Sequence, residues 1–75
     1  MWDLIEKLIP FFPDFEIPKY EEMALAFLAM AGIEIELLCD DLWSQGVFPN
    51  ERENELISLY REIEKVRDEY LRNLG

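Results

Sequence analysis

The hydrophobic pattern of residues 20–43 predicts a long central helix. An unbroken apolar run covers residues 23–33, and the next six residues mix Ile and Leu with Glu. At about 100° per residue, one apolar stripe follows the whole segment along one side of the helix. We expect this stripe to face the core, and its members are Tyr20, Ala24, Phe27, Leu28, Ala31, Ile35, Leu38, Cys39 and Leu42.

A second apolar stripe lies on another side of the same helix. Its members are Met23, Ala26, Met30, Ile33 and Leu37. Because Leu25, Ala29 and Gly32 occupy the remaining side, residues 23–33 are apolar all round, as in a buried or membrane-spanning helix. The run rises only about 16 Å, whereas a bilayer needs about 20 apolar residues. The pattern therefore predicts burial within protein.

Residues 51–74 predict a second long helix with a narrower apolar seam. Its apolar positions alternate in steps of three and four, as in a coiled coil: Leu56, Leu59, Ile63, Val66 and Tyr70. Asn50 and Glu53 have capping-box spacing, and Gly46 is a typical helix terminator. Two long helices joined by so short a turn run antiparallel, pairing residues whose numbers sum to about 95.

The N-terminal residues predict a short helix followed by a strap. Asp3 and Glu6 have capping-box spacing for a helix over about 3–9, which Pro10 ends. Three prolines and three phenylalanines follow within residues 10–18. Because a proline disfavours helical geometry in the preceding residue, we expect a semi-rigid, extended strap over the central helix. The alternative is an exposed aromatic peptide that docks into a partner.

These elements together predict an all-α fold. Residues 1–75 form a single domain, an antiparallel helical hairpin (about 18–45 and 50–74) with a short N-terminal helix (about 3–9) and the strap. Pro18 is expected in the first turn of the central helix. With 51% hydrophobic residues in 75, the chain carries more apolar surface than so small a domain covers. We therefore expect a homo-oligomer, a dimer or larger helical bundle.

The charge balance narrows the choice of partners. The formal net charge is −10, of which residues 1–46 carry −8 (ten acids, two bases) and residues 47–75 carry −2 (seven acids, five bases). Such a chain repels phosphates, which disfavours direct nucleic-acid binding and anionic membranes, and it attracts a basic protein. The alternative is that the charge only maintains solubility. The Glu enrichment is also typical of thermophilic proteins.

Few residues carry recognisable chemistry. The chain has no His, three glycines that form no phosphate loop, and one cysteine, Cys39, so we expect a non-enzymatic protein without a cofactor. One alternative is a Mg²⁺ site on Glu22, Glu36 and Asp40, which lie along one line of the central helix. Small all-α pyrophosphatases resemble this chain only in being helical and carboxylate-rich, and their paired Glu-x-x-Glu signature is not found in the central helix. The preferred interpretation is a solvated acidic face that contacts a partner.

The sequence therefore predicts a self-associating protein-interaction module. A more specific hypothesis is that the protein inhibits or regulates a basic protein by imitating the charge of nucleic acid, as small acidic proteins of viruses and mobile elements often do. A purely structural oligomerisation protein is the other alternative. The N-terminus lacks the basic region of a signal peptide, and the single cysteine suits a reducing compartment, which favours the cytoplasm.

Two charged residues on apolar sides of the helices predict a salt bridge between chains. Glu34 lies between the two stripes, and Arg67 lies on the apolar side of the last helix. If two central helices cross antiparallel near Ala29–Gly32, Glu34 of one chain approaches Arg67 of the other. The alternative is that Arg67 reaches water along its aliphatic stem.

Overall fold

The computed structural model describes residues 1–74 and contains three α-helices in that range. They are α1 (Trp2–Leu8), α2 (Glu21–Gln45) and α3 (Glu51–Leu74), with a 3-10 turn at Ile9–Phe11 after α1. Residues 1–74 contain no strand. The predicted all-α class is confirmed.

The caps between α2 and α3 follow directly from the local sequence. Gly46 adopts a left-handed conformation with φ 65°, and the Val47 amide donates to the Leu42 carbonyl at 3.1 Å. Asn50 and Glu53 form the predicted reciprocal cap, with amide-to-side-chain distances of 2.8 and 2.9 Å. These contacts end α2, begin α3 and leave only a short turn between them.

The two long helices pack at Gly32. A Cβ atom on Gly32 would lie 3.7 Å from both Ile63 Cγ2 and Tyr60 Cε2. These are ordinary van der Waals distances, so α3 packs directly against α2 at this position. The numbers of Gly32 and Ile63 sum to 95, so the packing fits an antiparallel hairpin in the expected register.

The N-terminal helix has the expected length but begins one residue earlier and is differently capped. It begins at Trp2 with Met1 as the cap residue and no side-chain cap bond, so the prediction of Asp3 as its cap is wrong. It ends at Leu8 because Pro10 has no N–H to continue the α-helical pattern. A 3-10 turn follows instead, closed by the Phe12 amide and the Ile9 carbonyl at 3.1 Å.

The strap is compact over residues 9–15, which corrects the expected extended geometry. A second turn follows the first, with the Phe15 amide 3.1 Å from the Phe12 carbonyl. The two turns stack the Phe12 and Phe15 rings at 4.8 Å, and both rings meet the Phe27 ring edge-on, at 6.4 and 5.5 Å. The strap is thereby fastened over the N-terminal part of α2 by three aromatic rings.

The central helix also begins later than expected. Pro18 is buried but lies outside α2. Tyr20 precedes the first helical residue with extended backbone angles, φ −147° and ψ 171°. A residue in that conformation interrupts any helix that starts before it, so α2 begins at Glu21 and the expected start at residue 18 is wrong.

The N-terminal segment is also joined to α3. The Arg52 guanidinium donates to the Pro10 carbonyl at 3.1 Å and lies 4.7 Å from the centre of the Phe11 ring. The Lys7 ammonium is 3.8 Å from a Glu62 carboxylate oxygen. Because both side chains of that ion pair are about half exposed, it stabilises the fold little. The packing of α1 depends mainly on its buried side chains.

One hydrophobic core is shared by all three helices, and α2 contributes most of it. Its buried members are Leu4, Ile5 and Leu8 of α1, Ala24, Phe27, Leu28, Ala31 and Ile35 of α2, and Ile63 of α3. The molecule is flat, with extents of 39 × 27 × 15 Å and a radius of gyration of 13.0 Å. A compact 75-residue domain has a radius of gyration of about 11 Å. This core therefore covers only one side of α2.

We expect the aromatic fastening of the strap to contribute substantially to stability. Replacing Phe15 with Ala removes one stacked and one edge-on ring contact from a partly buried site. The loss is about 2 kcal/mol, below the full-burial value, which corresponds to a melting temperature lower by about 10 °C. Phe48→Ala is the matched control, because that ring is 93% exposed. Equal melting temperatures for the two variants would contradict the described packing.

Candidate interaction surface

The side of α2 that faces away from the core carries an unpartnered apolar stripe. We call it the outer stripe, and it consists of Met23, Ala26, Met30, Ile33 and Leu37. In the isolated chain, Met30 is 51% exposed and both Ile33 and Leu37 are 57% exposed. Ala26 is also exposed, whereas Met23 is half-buried. Since 14 residues separate its ends, the stripe extends about 21 Å along the helix.

The small residues of α2 divide between the two sides. Gly32 is buried against α3, whereas Ala26, a member of the outer stripe, and the neighbouring Ala29 are exposed. A crossing of two α2 helices near Ala29–Gly32 is therefore open on the Ala29 side, while α3 occupies the Gly32 side. The crossing itself stays a prediction.

The same packing bears on the Glu34–Arg67 pair. Both side chains are exposed. Glu34 lies about 160° around α2 from Gly32, on the side opposite α3, whereas Arg67 lines the groove between α2 and α3. The pair between two chains stays a prediction. The exposed Arg67 fits the alternative in which its stem crosses apolar surface to reach water.

The three carboxylates of the predicted acidic face do not form one cluster within the chain. Glu36 and Asp40 are one helical turn apart, but Glu22 lies about 21 Å away along the same helix. Within residues 1–74, no group of three or more His, Cys, Asp or Glu side chains is arranged to hold a metal ion. The alternative Mg²⁺ site on Glu22, Glu36 and Asp40 is thus not assembled by one chain.

Glu36 instead has a partner on α3. It accepts a hydrogen bond from the Tyr60 hydroxyl across the helix pair. That hydrogen bond raises the pKa of Tyr60 above its ordinary value of 10.0, and burial and the negative charges of Glu36 and Glu64 act in the same direction. The positive charge of Arg67 opposes them. The contact links the acidic face of α2 to α3.

A shallow apolar groove runs between α2 and α3, next to the outer stripe. Its volume is about 350 Å³, and Ala29 and Ile33 form its edge on α2. On α3 it is bordered by Tyr70 and Leu71, which are 39% and 56% exposed. The groove widens the apolar surface from a single helical stripe to a band that spans two helices.

A second exposed apolar group surrounds the turn between α2 and α3. Trp43 is 88% exposed and Phe48 is 93% exposed. With Val47 and Ile57 they border a groove of about 470 Å³. The helical pattern did not predict this group, because Phe48 lies in a turn, where periodicity carries no information.

The accessible surface of the chain is large for its mass. It measures 5774 Å², whereas a compact monomer of 9.0 kDa exposes about 4,850 Å². The excess of about 900 Å² is close to the roughly 800 Å² that each partner buries in a standard protein interface. The excess reflects the flat shape of the molecule and is comparable in size to one side of an interface.

Comparisons of this chain with protein-family models, curated proteins and solved structures gave no match. Across residues 1–74, none of the helices is long and apolar enough to cross a bilayer.

We expect removal of the Glu36 carboxylate to lower the pKa of Tyr60. The folded state holds the phenolic proton more tightly than the unfolded state, so this contact stabilises the fold below pH 10. That contribution is lost as the pH rises through the raised pKa. Glu36→Ala should shift the Tyr60 absorbance titration toward pH 10, with Tyr60→Phe identifying the signal and Glu21→Ala as the control. An unchanged titration curve would contradict the contact.

Proposed function

We propose that this protein acts by binding protein rather than by catalysis, and that it associates with itself through the outer stripe. The observation that supports this is the exposure of Met30, Ile33 and Leu37 on one continuous helical side. These side chains lie opposite a well-formed core on the same helix. Large apolar side chains arranged in this way are characteristic of interaction surfaces.

The energetics indicate how much surface is needed. Covering three half-exposed side chains on each of two copies yields roughly 6 kcal/mol. Association costs about 4–15 kcal/mol in lost freedom, so the stripe alone forms at best a weak dimer. The groove beside it, with exposed Tyr70 and Leu71, adds apolar area on the same side. We therefore infer that the interface includes the groove edge of α3.

A basic protein is the second candidate partner. Helix α2 carries six carboxylates, Glu21, Glu22, Glu34, Glu36, Asp40 and Asp41, and no Lys or Arg. All six residues are exposed. Such a surface attracts a positively charged partner and repels nucleic acid, which supports a regulatory role toward a basic protein. Binding of this kind weakens as salt is raised, whereas association through the outer stripe depends on salt much less.

Sedimentation equilibrium tests the self-association. At micromolar concentration we expect at least twice the 9.0 kDa chain mass. Met30→Glu should weaken the association at least about tenfold, because it brings a charge into an apolar contact. The helical content of the Met30→Glu variant should equal that of the unmodified protein, since Met30 is half exposed in the single chain. Phe48→Glu adds the same charge at the turn and should leave the mass unchanged.

A chain that stays at 9.0 kDa up to its solubility limit would contradict self-association. The outer stripe and the carboxylates would then be available only to a different protein, as the second candidate requires.

A further inference from the structure

We propose that two copies of this chain pair α2 against α2 in antiparallel orientation, centred on Met30, with Lys19 of each protomer beside the partner's Asp41. This inference rests on the proposed self-association and adds its orientation, its register and its charge contacts. The occupant of the outer stripe is thereby a second copy of the same chain.

The register follows from the stripe itself. Its ends are Met23 and Leu37, so its midpoint is Met30. Antiparallel pairing about that midpoint aligns the stripe with its own copy along the full length of about 21 Å. Residues at the same level then have numbers that sum to about 60. Ala26 and Ala29 lie beside the centre and are exposed, so the helices can approach at the short end of the usual 8–10 Å range.

The charges of α2 favour the antiparallel orientation over the parallel one. In a parallel pair, each of the six carboxylates of α2 would lie at the level of its own copy, with no base on either helix to offset the repulsion. An antiparallel pair instead places residues 34–41 of one helix along residues 19–26 of the other. Glu34 and Glu36 then lie at the level of the uncharged residues 26 and 24, and Glu21 and Glu22 lie at the level of residues 39 and 38. Like charges at close range disfavour a wrong pairing strongly.

The antiparallel register also creates one attractive contact at each end. Lys19 lies two residues before α2 and is exposed. Lys19 is next to Tyr20, the N-cap residue of α2, so it lies at the N-terminal end of the helix. In the antiparallel orientation that end lies beside the C-terminal turns that carry the partner's Asp41. Asp41 is exposed as well and borders the outer stripe. This contact favours the antiparallel orientation, because a parallel pair would place Lys19 beside its own copy and Asp41 beside its own copy.

One repulsive contact remains in the same register. Glu22 reaches the level of residue 38 of the partner, between the partner's Glu36 and the partner's Asp40. These carboxylates lie on the same side of the paired helices. We therefore expect Glu22 to limit the affinity, and neutralising it should strengthen the association. In a parallel pair, Lys19 and Glu22 would each lie beside a like charge, so neither residue would strengthen the association.

Disulfide trapping in the full chain distinguishes the orientations. All variants carry Cys39→Ala, which removes the native thiol. We expect Met30→Cys to cross-link with itself, and Met23→Cys to cross-link with Leu37→Cys when the two variants are mixed. Met23→Cys alone should not cross-link, since its two copies lie about 21 Å apart along the helices. Efficient cross-linking of Met23→Cys with itself would overturn the antiparallel orientation.

A charge exchange tests the end contacts. Lys19→Glu and Asp41→Lys should each weaken dimerisation about tenfold, and the double variant should restore it. Glu22→Gln should tighten it several-fold. If the losses of affinity in the two single variants add up in the double variant, the Lys19–Asp41 contact is contradicted. Glu16→Lys, an exposed charge change in the strap, serves as the control.

The two proposals fail in different ways. A monomer of 9.0 kDa with no cross-link in any variant would contradict self-association itself. A dimer that forms none of the expected cross-links would leave self-association standing and overturn the register proposed here.

Discussion

The structure depends on one constraint, which is that α2 is apolar on two sides and the rest of the chain covers only one of them. Buried α2 residues such as Phe27 and Ile35 face α1, the strap and α3, whereas Met30 and Ile33 on the other side face water. Within residues 1–74, no segment packs over that second side. Exposed apolar surface of this extent is unfavourable in water, which is the basis of the proposed association with a second chain.

The covered side shows how a small domain obtains a core from few residues. The strap turns twice after α1 and places two phenylalanine rings on Phe27, and α1 contributes three buried aliphatic residues. Helix α3 contributes only Ile63 as a buried residue. Its last turns, with Tyr70, Leu71 and Leu74, remain exposed. The molecule is therefore a flat layer in which one side of α2 is buried and the other side is exposed to solvent.

The helices and their caps could be predicted because they depend on local interactions. Gly46 ends α2, and the Asn50–Glu53 box begins α3, through contacts within a few residues. The strap could not be predicted in the same way. Ile9 precedes a proline yet has helical angles, φ −50° and ψ −46°, against the local preference for extended geometry. The Phe12 and Phe15 rings that follow it pack on Phe27, a tertiary contact that local patterns do not report.

The sequence predicted only the part of the candidate surface that depends on helical periodicity. Helical periodicity placed Met30, Ile33 and Leu37 together, and the structure leaves them exposed. Helical periodicity did not show that Gly32 faces α3, because a glycine has no hydropathy signal that assigns it to one side of a helix. The Glu36–Tyr60 hydrogen bond joins residues 24 apart in sequence. Only the register of the two helices brings those residues together.

The account is tested most directly by the solvent exposure of the Met30 methyl group in solution. With ¹³C-labelled methionine methyl groups, a soluble paramagnetic probe reports exposure separately at Met1, Met23 and Met30. Burial by a second chain predicts that Met30 becomes protected as the protein concentration rises, while the response of Met1, at the far end of α1, does not change. A Met30 methyl group that remains as exposed at millimolar concentration as at high dilution would contradict the claim that the open side of α2 is covered by protein.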